Sequence, residues 1–187
     1  MQRLRRAFFA RPATTVAPEL LGKLLVAEPD GSAARLVGRI VEVEAYMPDD
    51  PASHAFRGQT RRNATMFGQA GVLYVYFTYG MHHCANVVTG SVGAGQAVLL
   101  RAAVPIGGID KMRERRPARA DRSLADGPGK LCQAFGLDLR HDGVDLCGRH
   151  PSVWIGDDGT APPEAPVTGP RVGIRLGVEH PWRWRVP

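Results

Sequence analysis

The alternation of apolar and polar residues along the chain predicts a protein built mainly from β-strands. Runs rich in β-branched and aromatic residues, bounded by Gly, Pro and Asp, are typical of strands. They occur at residues 23–29, 34–46, 71–90, 95–105, 171–177 and 181–186. The run at 71–90 is broken at Gly80, which predicts two strands joined by a tight bend at residues 78–81. The run at 95–105 is apolar on both faces, as in a strand from the centre of a sheet.

Three short helices are predicted, at residues 14–22, 107–116 and 128–136. Thr14 or Thr15 can cap the first, and glycine or proline follows the end of each pattern. Because strand and helix patterns do not alternate regularly, an α+β fold is favoured over a doubly wound sheet.

Irregular segments are predicted where Gly, Pro, Asp and Asn cluster. A turn at residues 29–32 joins the first two strands, and a proline-rich loop covers residues 161–170. The loop at residues 47–71 is unusually long for a compact domain, and loops of this length commonly carry function.

Composition adds a choice of partners. The 187 residues suit one domain, over residues 1–187, and the 44% hydrophobic and 22% charged fractions are ordinary for a globular protein. The formal net charge of +6 favours a polyanionic partner such as nucleic acid. Only three of the 24 basic residues are lysines, Lys23, Lys111 and Lys130.

The cysteines and the apolar runs of the sequence indicate the cellular compartment of the protein. The three cysteines are odd in number and form no CxxC, which predicts free thiols in a reducing compartment. No apolar run approaches the ~20 residues of a membrane span, and "AFFA" near the N-terminus is too short for a secretory signal. We therefore expect a cytoplasmic protein without a membrane partner.

Two glutamates interrupt the strand pattern of "GRIVEVEAY". Residues two apart in a strand share a face, so Glu42, Glu44 and Tyr46 point the same way. Spacing alone leaves two interpretations open, a carboxylate pair of the kind glycosidases use or a solvated strand face. Nearby His54 and Tyr76 favour a pocket around one carboxylate.

The bend in "YFTYGMHH" places large side chains at a hairpin tip. Exposed apolar residues at such a tip normally promote aggregation or form an interaction site. Large side chains on a rigid hairpin can also insert between the bases of DNA. Tyr79, Met81 and His82 are the candidates. The adjacent histidines face opposite ways along a strand, and no second ligand pair has a useful spacing, so no metal site is expected.

Cations cluster where DNA phosphates could be met. The loop segment "FRGQTRRNATMFG" carries Arg57, Arg61, Arg62 and Asn63, either as phosphate contacts or as a solvated surface. "GPGK", which ends at Lys130, lacks the P-loop pattern, but it can bind one backbone phosphate or simply cap a helix.

Taken together, the motifs resemble those of the alkyladenine (3-methyladenine) DNA glycosylases of the mammalian methylpurine type. The resemblance extends over nearly the whole chain, from residue 20 to residue 186. It rests on five segments in order, "GRIVEVEAY", "DPASHAFRGQTRRNATMF", "YVYFTYGMHHCANVV", "AVLLRA" and "GPGKLCQA".

The resemblance implies a fold and a reaction. We expect a compact domain with a mixed, largely antiparallel curved sheet, short helices and a protruding β-hairpin that intercalates into DNA. The expected partner is double-stranded DNA containing damaged purines, bound as a monomer through the minor groove, with no cofactor and no metal. The implied setting is base-excision repair at the nucleoid of a bacterial cytoplasm.

The resemblance also implies roles for individual residues. Glu44 would be the general base, and Tyr46, His54, Tyr76 and Asn86 would form the base pocket, with Asn86 crowding out the 2-amino group of guanine. Tyr79, helped by Met81 and His82, would intercalate. The remaining contacts, to backbone or substrate, would be made by Arg57, Arg61, Arg62, Asn63, Arg101 and Lys130.

The expected reaction is hydrolysis of the C1′–N9 bond of 3-methyladenine, 7-methylguanine and, by extension, hypoxanthine or ethenoadenine. One carboxylate suffices, so a structural role is expected for Glu42. Scarce lysine argues against an amine nucleophile and hence against lyase activity. The alternatives are a non-enzymatic module that binds damaged DNA, which would not need Glu44, and a glycosidase of free nucleosides or sugars.

Overall fold

An antiparallel sheet that curls into a half-barrel organises the chain. The computed structural model describes residues 1–28, 35–118 and 120–187. In these residues nine strands belong to one sheet, namely β1 Gln2–Arg3, β2 Leu24–Ala27, β3 Leu36–Tyr46, β4 Leu73–Thr78, β5 His82–Thr89, β6 Gln96–Gly107, β7 Val153–Asp157, β8 Val167–Gly169 and β9 Arg183–Arg185.

The order of strands puts β3 and β6 at the centre. The main path is β1-β7-β2-β3-β6-β5-β4, and β9 pairs with β3 beyond the end of β2, with β8 beside it. Every pairing is antiparallel. The register between β3 and β6 shifts on either side of Glu42, as expected of a β-bulge. The predicted α+β class and the central position of β6 are confirmed.

The helices and the long loop cover opposite faces of the sheet. The helices are α1 Arg6–Phe9, α2 Ala13–Leu20, α3 Ile109–Arg115 and α4 Pro128–Phe135, with short 3₁₀ turns at Ala64–Phe67, Asp121–Ser123 and Leu139–His141. Leu20, Met112 and Phe135 from the helices pack with Val43 and Leu100 in the main core. On the other face, the loop at residues 47–71 contributes a smaller apolar cluster.

The reversal between β4 and β5 is a tight hairpin, as predicted. Thr78 pairs with His82, and the Met81 amide donates to the Thr78 carbonyl over 3.2 Å. Tyr79 and Gly80 have φ of 51° and 68°. Two successive positive φ values are typical of the type I′ turn, whose twist matches that of the strands.

Several sequence predictions are wrong, for tertiary reasons. Residues 171–177 form no strand, because Arg171 turns into the interior to meet Asp50. The helix predicted from a threonine cap begins earlier, at Ala13, whose amide donates to the Gln96 side chain 3.0 Å away.

Other differences concern short strands. The proline-rich loop contains β8, and neither β1 nor β7 was predicted. The turn predicted at residues 29–32 lies outside the described residues. Among those described, no helix has the length and apolar content to cross a membrane.

Candidate active site

A row of paired residues crosses the face of the sheet under the long loop. Glu44 on β3 lies opposite Leu99 on β6, Leu99 opposite Asn86 on β5, and Asn86 opposite Tyr74 on β4. Residues opposite each other in antiparallel strands project from the same face. Four strands thus direct one row of side chains towards the loop.

The loop and this row enclose a cavity of about 240 Å³. On the same measure one water molecule needs only ~10–15 Å³, so the cavity has room for a group much larger than water, such as a nucleobase. The residues that the sequence proposed for the catalytic carboxylate and the base pocket all line it, as do one tip residue and one cation: Glu44, Tyr46, His54, Tyr76, Asn86, Tyr79 and Arg101.

Glu44 is fully buried, accepts two hydrogen bonds and forms one ion pair. Tyr46 Oη donates to Oε2 over 2.9 Å, and the Val172 amide donates to Oε1 over 2.7 Å. Arg101 Nη1 lies 3.2 Å from Oε1. These contacts hold the carboxylate in one orientation and replace the water that a buried polar group loses.

Glu42 shares a cation with Glu44 instead of facing solvent. Arg101 Nε donates to Glu42 Oε1 over 2.8 Å, and Arg183 Nε donates to the same oxygen over 2.7 Å. Arg101 therefore lines the cavity, with its side chain only 12% exposed. The chain Arg183–Glu42–Arg101–Glu44 alternates in charge, and this gives Glu42 the structural role predicted for it.

Aromatic rings form the walls of the cavity. The His54 and Tyr76 rings meet edge to face at 4.5 Å between centroids, and His54 Nδ1 lies 3.0 Å from Tyr74 Oη. Burial, followed by the charge of Glu44, raises the pKa of Tyr46, and burial raises the pKa of Tyr76. Burial, followed by the charge of Arg62, lowers the pKa of His54 below its usual 6.5. The phenols and the imidazole are therefore neutral near pH 7.

A buried ion pair supports the cavity from behind. Arg171 forms a bidentate pair with Asp50, both side chains being 0% exposed, and donates to the Ala45 carbonyl over 3.0 Å. Its guanidinium also lies 4.7 Å from the Tyr46 ring and 5.3 Å from that of Trp182. Sequence reasoning missed this pair because its members are 121 residues apart. It also missed Tyr74 and Val172, although Tyr74 belongs to the same alternating strand pattern as Tyr76.

The hairpin beside the cavity presents exposed apolar side chains. Tyr79 is 81% exposed and Met81 68% exposed at the tip. His82 lies lower, where β5 begins, and its ring packs so closely on Gly129 that a Cβ there would come within 3.0 Å of it. His82 therefore packs against α4 while remaining exposed beside the tip, and its part in intercalation stays a prediction.

The predicted DNA-contacting residues of the loop divide into two kinds. Arg57, Arg61 and Arg62 are exposed, and Arg62 also donates to the Phe77 carbonyl over 3.3 Å. Asn63 is only 4% exposed, and its amide bonds to the backbone of His54, Gly58 and Thr60. The prediction that Asn63 contacts DNA is wrong, since its polar atoms are already used to fold the loop.

Lys130 and the three cysteines are the remaining residues for which the sequence made a prediction. Lys130 is exposed in the first turn of α4, 2.7 Å from Asp126. Cys84, Cys132 and Cys147 are free thiols, as predicted. Within the described ranges, no three side chains of His, Cys, Asp or Glu are grouped to hold a metal ion.

Comparison with known proteins identifies the family. Residues 7–187 match the family described as Methylpurine-DNA glycosylase (MPG). A Burkholderia lata protein named as a candidate 3-methyladenine DNA glycosylase is 56% identical over 186 residues, covering 98% of this chain and 87% of the relative. A Carboxydothermus hydrogenoformans protein of the same name is 46% identical over 181 residues, covering 97% of this chain and 93% of its own. The chain therefore belongs to the methylpurine-DNA glycosylase family, whose members are hydrolases of the bond between a base and its deoxyribose in DNA.

Proposed function

We propose that this protein removes alkylated purines from double-stranded DNA by hydrolysing the C1′–N9 bond and leaves an abasic site. The observation that carries the proposal is the buried carboxylate of Glu44, which accepts two hydrogen bonds and pairs with Arg101 in a cavity walled by aromatic rings. The matching family and the names of the relatives support the same substrate class.

The walls of the cavity suit an electron-poor purine. Extruding a base from the duplex costs a few kcal/mol, and stacking on an aromatic ring returns about 1–3 kcal/mol. Bases such as 3-methyladenine and 7-methylguanine are cationic, and a cation is attracted to the face of a tyrosine ring. Because Tyr46, Tyr76 and His54 are neutral near pH 7, none of them repels such a base.

Glu44 is the proposed general base. A carboxylate has about four lone-pair sites; Tyr46 occupies one on Oε2, Val172 occupies one on Oε1, and Arg101 lies against Oε1. The second site on Oε2 is left to accept a proton from the attacking water. The same negative charge stabilises the positive charge that develops on the sugar as the base departs. A cationic base leaves readily, so these lesions need no general acid, whereas hypoxanthine and ethenoadenine would react more slowly.

The proposed enzyme is monofunctional. Strand cleavage by a glycosylase requires an amine that forms a Schiff base with the sugar. Among the residues described, no lysine lines the cavity. Lys23 is paired with Asp157, Lys111 with Glu114 and Lys130 with Asp126.

DNA binding is proposed to be minor-groove binding by a monomer. Tyr79 and Met81 would fill the space left by the extruded nucleotide, as apolar wedges do in other minor-groove proteins. Arg57, Arg61, Arg62 and Lys130 are exposed and would contact phosphates.

The test uses duplexes that each carry one defined lesion, incubated without added metal. We expect release of the free base and an abasic strand that breaks only after alkali treatment. Glu44→Gln should lower the single-turnover rate by roughly 10²–10⁴-fold. Glu19→Gln on α2 is the matched control, since its half-exposed carboxylate pairs with Arg11 on the far side of the sheet, and it should retain the full rate.

Other outcomes would identify the alternatives. Tight lesion binding without base release by the wild type would indicate a damaged-DNA-binding module. Unchanged release by Glu44→Gln would remove Glu44 from the reaction. Hydrolysis of free nucleosides with indifference to duplex DNA would indicate a nucleoside glycosidase.

A further inference from the structure

The row of residues that forms the active site continues across the sheet beyond β3. Arg183 on β9 lies opposite Glu44, and Gly169 on β8 lies opposite Arg183. Residues so paired share a face, so Gly169 and Arg183 extend the line of Glu44 and Leu99. The hydrogen bond from Arg183 to Glu42 is consistent with this placement.

A second cavity, of about 180 Å³, opens at this end of the row. It is lined by Val167, Thr168, Gly169, Pro170, Arg183 and Arg185. Neighbouring strands are ~4.8 Å apart, which places the β8 backbone about 10 Å from that of Glu44. This cavity is therefore separate from the base pocket, with no lining residue in common among those described, and lies about 10 Å from it.

Charge is unbalanced at the second cavity. Arg101 and Arg183 are both engaged with the two glutamates of β3. Arg185 lies opposite Glu42 in the register, but within the described part of the chain it has no hydrogen bond or ion pair. The face therefore carries one arginine more than it carries carboxylates, and that arginine is exposed at the cavity.

Gly169 keeps the cavity open. A Cβ built on Gly169 would meet no atom within 4 Å, and its φ lies outside the left-handed region. A side chain introduced at this position would enter empty space beside Arg183 without straining the backbone.

We propose that Arg183 and Arg185 bind a phosphodiester of the substrate DNA next to the nucleotide whose base enters the first cavity. This inference rests on the proposed function, because it takes DNA as the ligand. Guanidinium groups bind phosphate oxygens well, and two of them on alternate residues of one strand can bind the same phosphate. Through Glu42 and Arg101, the same contact would link the held backbone to the orientation of Glu44.

The test is the salt dependence of binding to a lesion-containing duplex. Arg185→Gln is the informative variant, because Arg183 also supports Glu42. Loss of one phosphate contact should weaken binding roughly tenfold at low salt and reduce the slope of log K against log salt by about 0.9. Arg113→Gln on α3 is the matched control, since Arg113 pairs with Asp110 and Asp121 on the opposite side of the sheet, and its slope should equal that of the wild type.

Gly169 provides a second, independent pair of variants. Gly169→Asp places a carboxylate beside Arg183 and should weaken DNA binding, whereas Gly169→Asn, of the same size without the charge, should bind several-fold more tightly than the aspartate variant. Wild-type slope and affinity in both Arg185→Gln and Gly169→Asp would overturn the phosphate site. Base release by the wild type is measured in parallel, and its absence would overturn the proposed function whatever the slopes show.

Discussion

Breaking the buried Asp50–Arg171 pair should cost far more stability than breaking any surface ion pair of this protein. Asp50→Asn removes one charge at nearly constant volume and leaves Arg171 buried opposite a neutral amide. Both side chains are 0% exposed. Removing one partner of such a pair typically costs about 3–5 kcal/mol. Arg171 keeps its bonds to the Ala45 and Gly177 carbonyls, so we expect the lower end, about 3 kcal/mol.

Urea unfolding followed by circular dichroism measures this cost. With a slope of about 1–3 kcal/mol per molar urea, the midpoint should fall by roughly 1–3 M at an unchanged slope. Asp158→Asn is the control, because its pair with Arg39 is about 30% exposed on both sides and exposed pairs contribute little to stability. Equal midpoint shifts in the two variants would refute the reasoning.

The same substitution should also slow the reaction. Val172, whose amide donates to Glu44, directly follows Arg171 in the chain. If the ion pair holds this segment in place, Asp50→Asn loosens a hydrogen bond to a charged group, which contributes about 1.5–3 kcal/mol. Single-turnover base release, measured well below the unfolding transition, should therefore fall about tenfold to a hundredfold. A full rate in folded Asp50→Asn would show that the pair acts on stability alone.

Three further predictions concern the hairpin, the floor of the cavity and its histidine. Tyr79→Ala should weaken binding to a lesion duplex by about 1–3 kcal/mol, measured by fluorescence anisotropy. The melting temperature should not fall, because the ring is 81% exposed. Val92→Ala is the control, since Val92 is 71% exposed and lies outside the hairpin. Asn86→Ala empties space on the cavity floor and should raise base release from undamaged guanine relative to hypoxanthine, measured on matched duplexes; an unchanged ratio would contradict a role in excluding guanine. The folded-state pKa of His54 lies below 6.5, so as pH falls the unfolded chain binds its proton first and stability is lost below about pH 6.5. Between about pH 7.5 and 5.5, the melting temperature of His54→Gln should fall less than that of the wild type. Parallel curves of melting temperature against pH for the two proteins would exclude His54 as a source of the pH dependence.

Local features of the sequence determined most of the elements. The β-branched runs predicted β3, β5 and β6 because side-chain burial on a pleated strand follows a period of two. Gly127 and Gly136 bounded α4 because glycine is tolerated at helix ends, and Gly136 has the positive φ of a C-terminal cap. The same period placed Glu44 and Tyr46 on one face, where they are hydrogen-bonded.

Tertiary structure decided how polar groups far apart in the chain are paired. A periodic pattern reports which face of a strand is apolar, but it does not say which distant charge will meet a buried one. For this reason the sequence predicted a strand at Arg171, whose side chain pairs with Asp50 instead. It likewise predicted a DNA contact for Asn63, whose side chain bonds to the backbone of the loop. Glu42, which spacing left ambiguous, acquired its role only when Arg101 and Arg183 were brought from two other strands. The sequence thus determined the strands and the carboxylate they carry, and the fold decided which cations orient that carboxylate, because burying a charge requires partners that only the folded chain brings together.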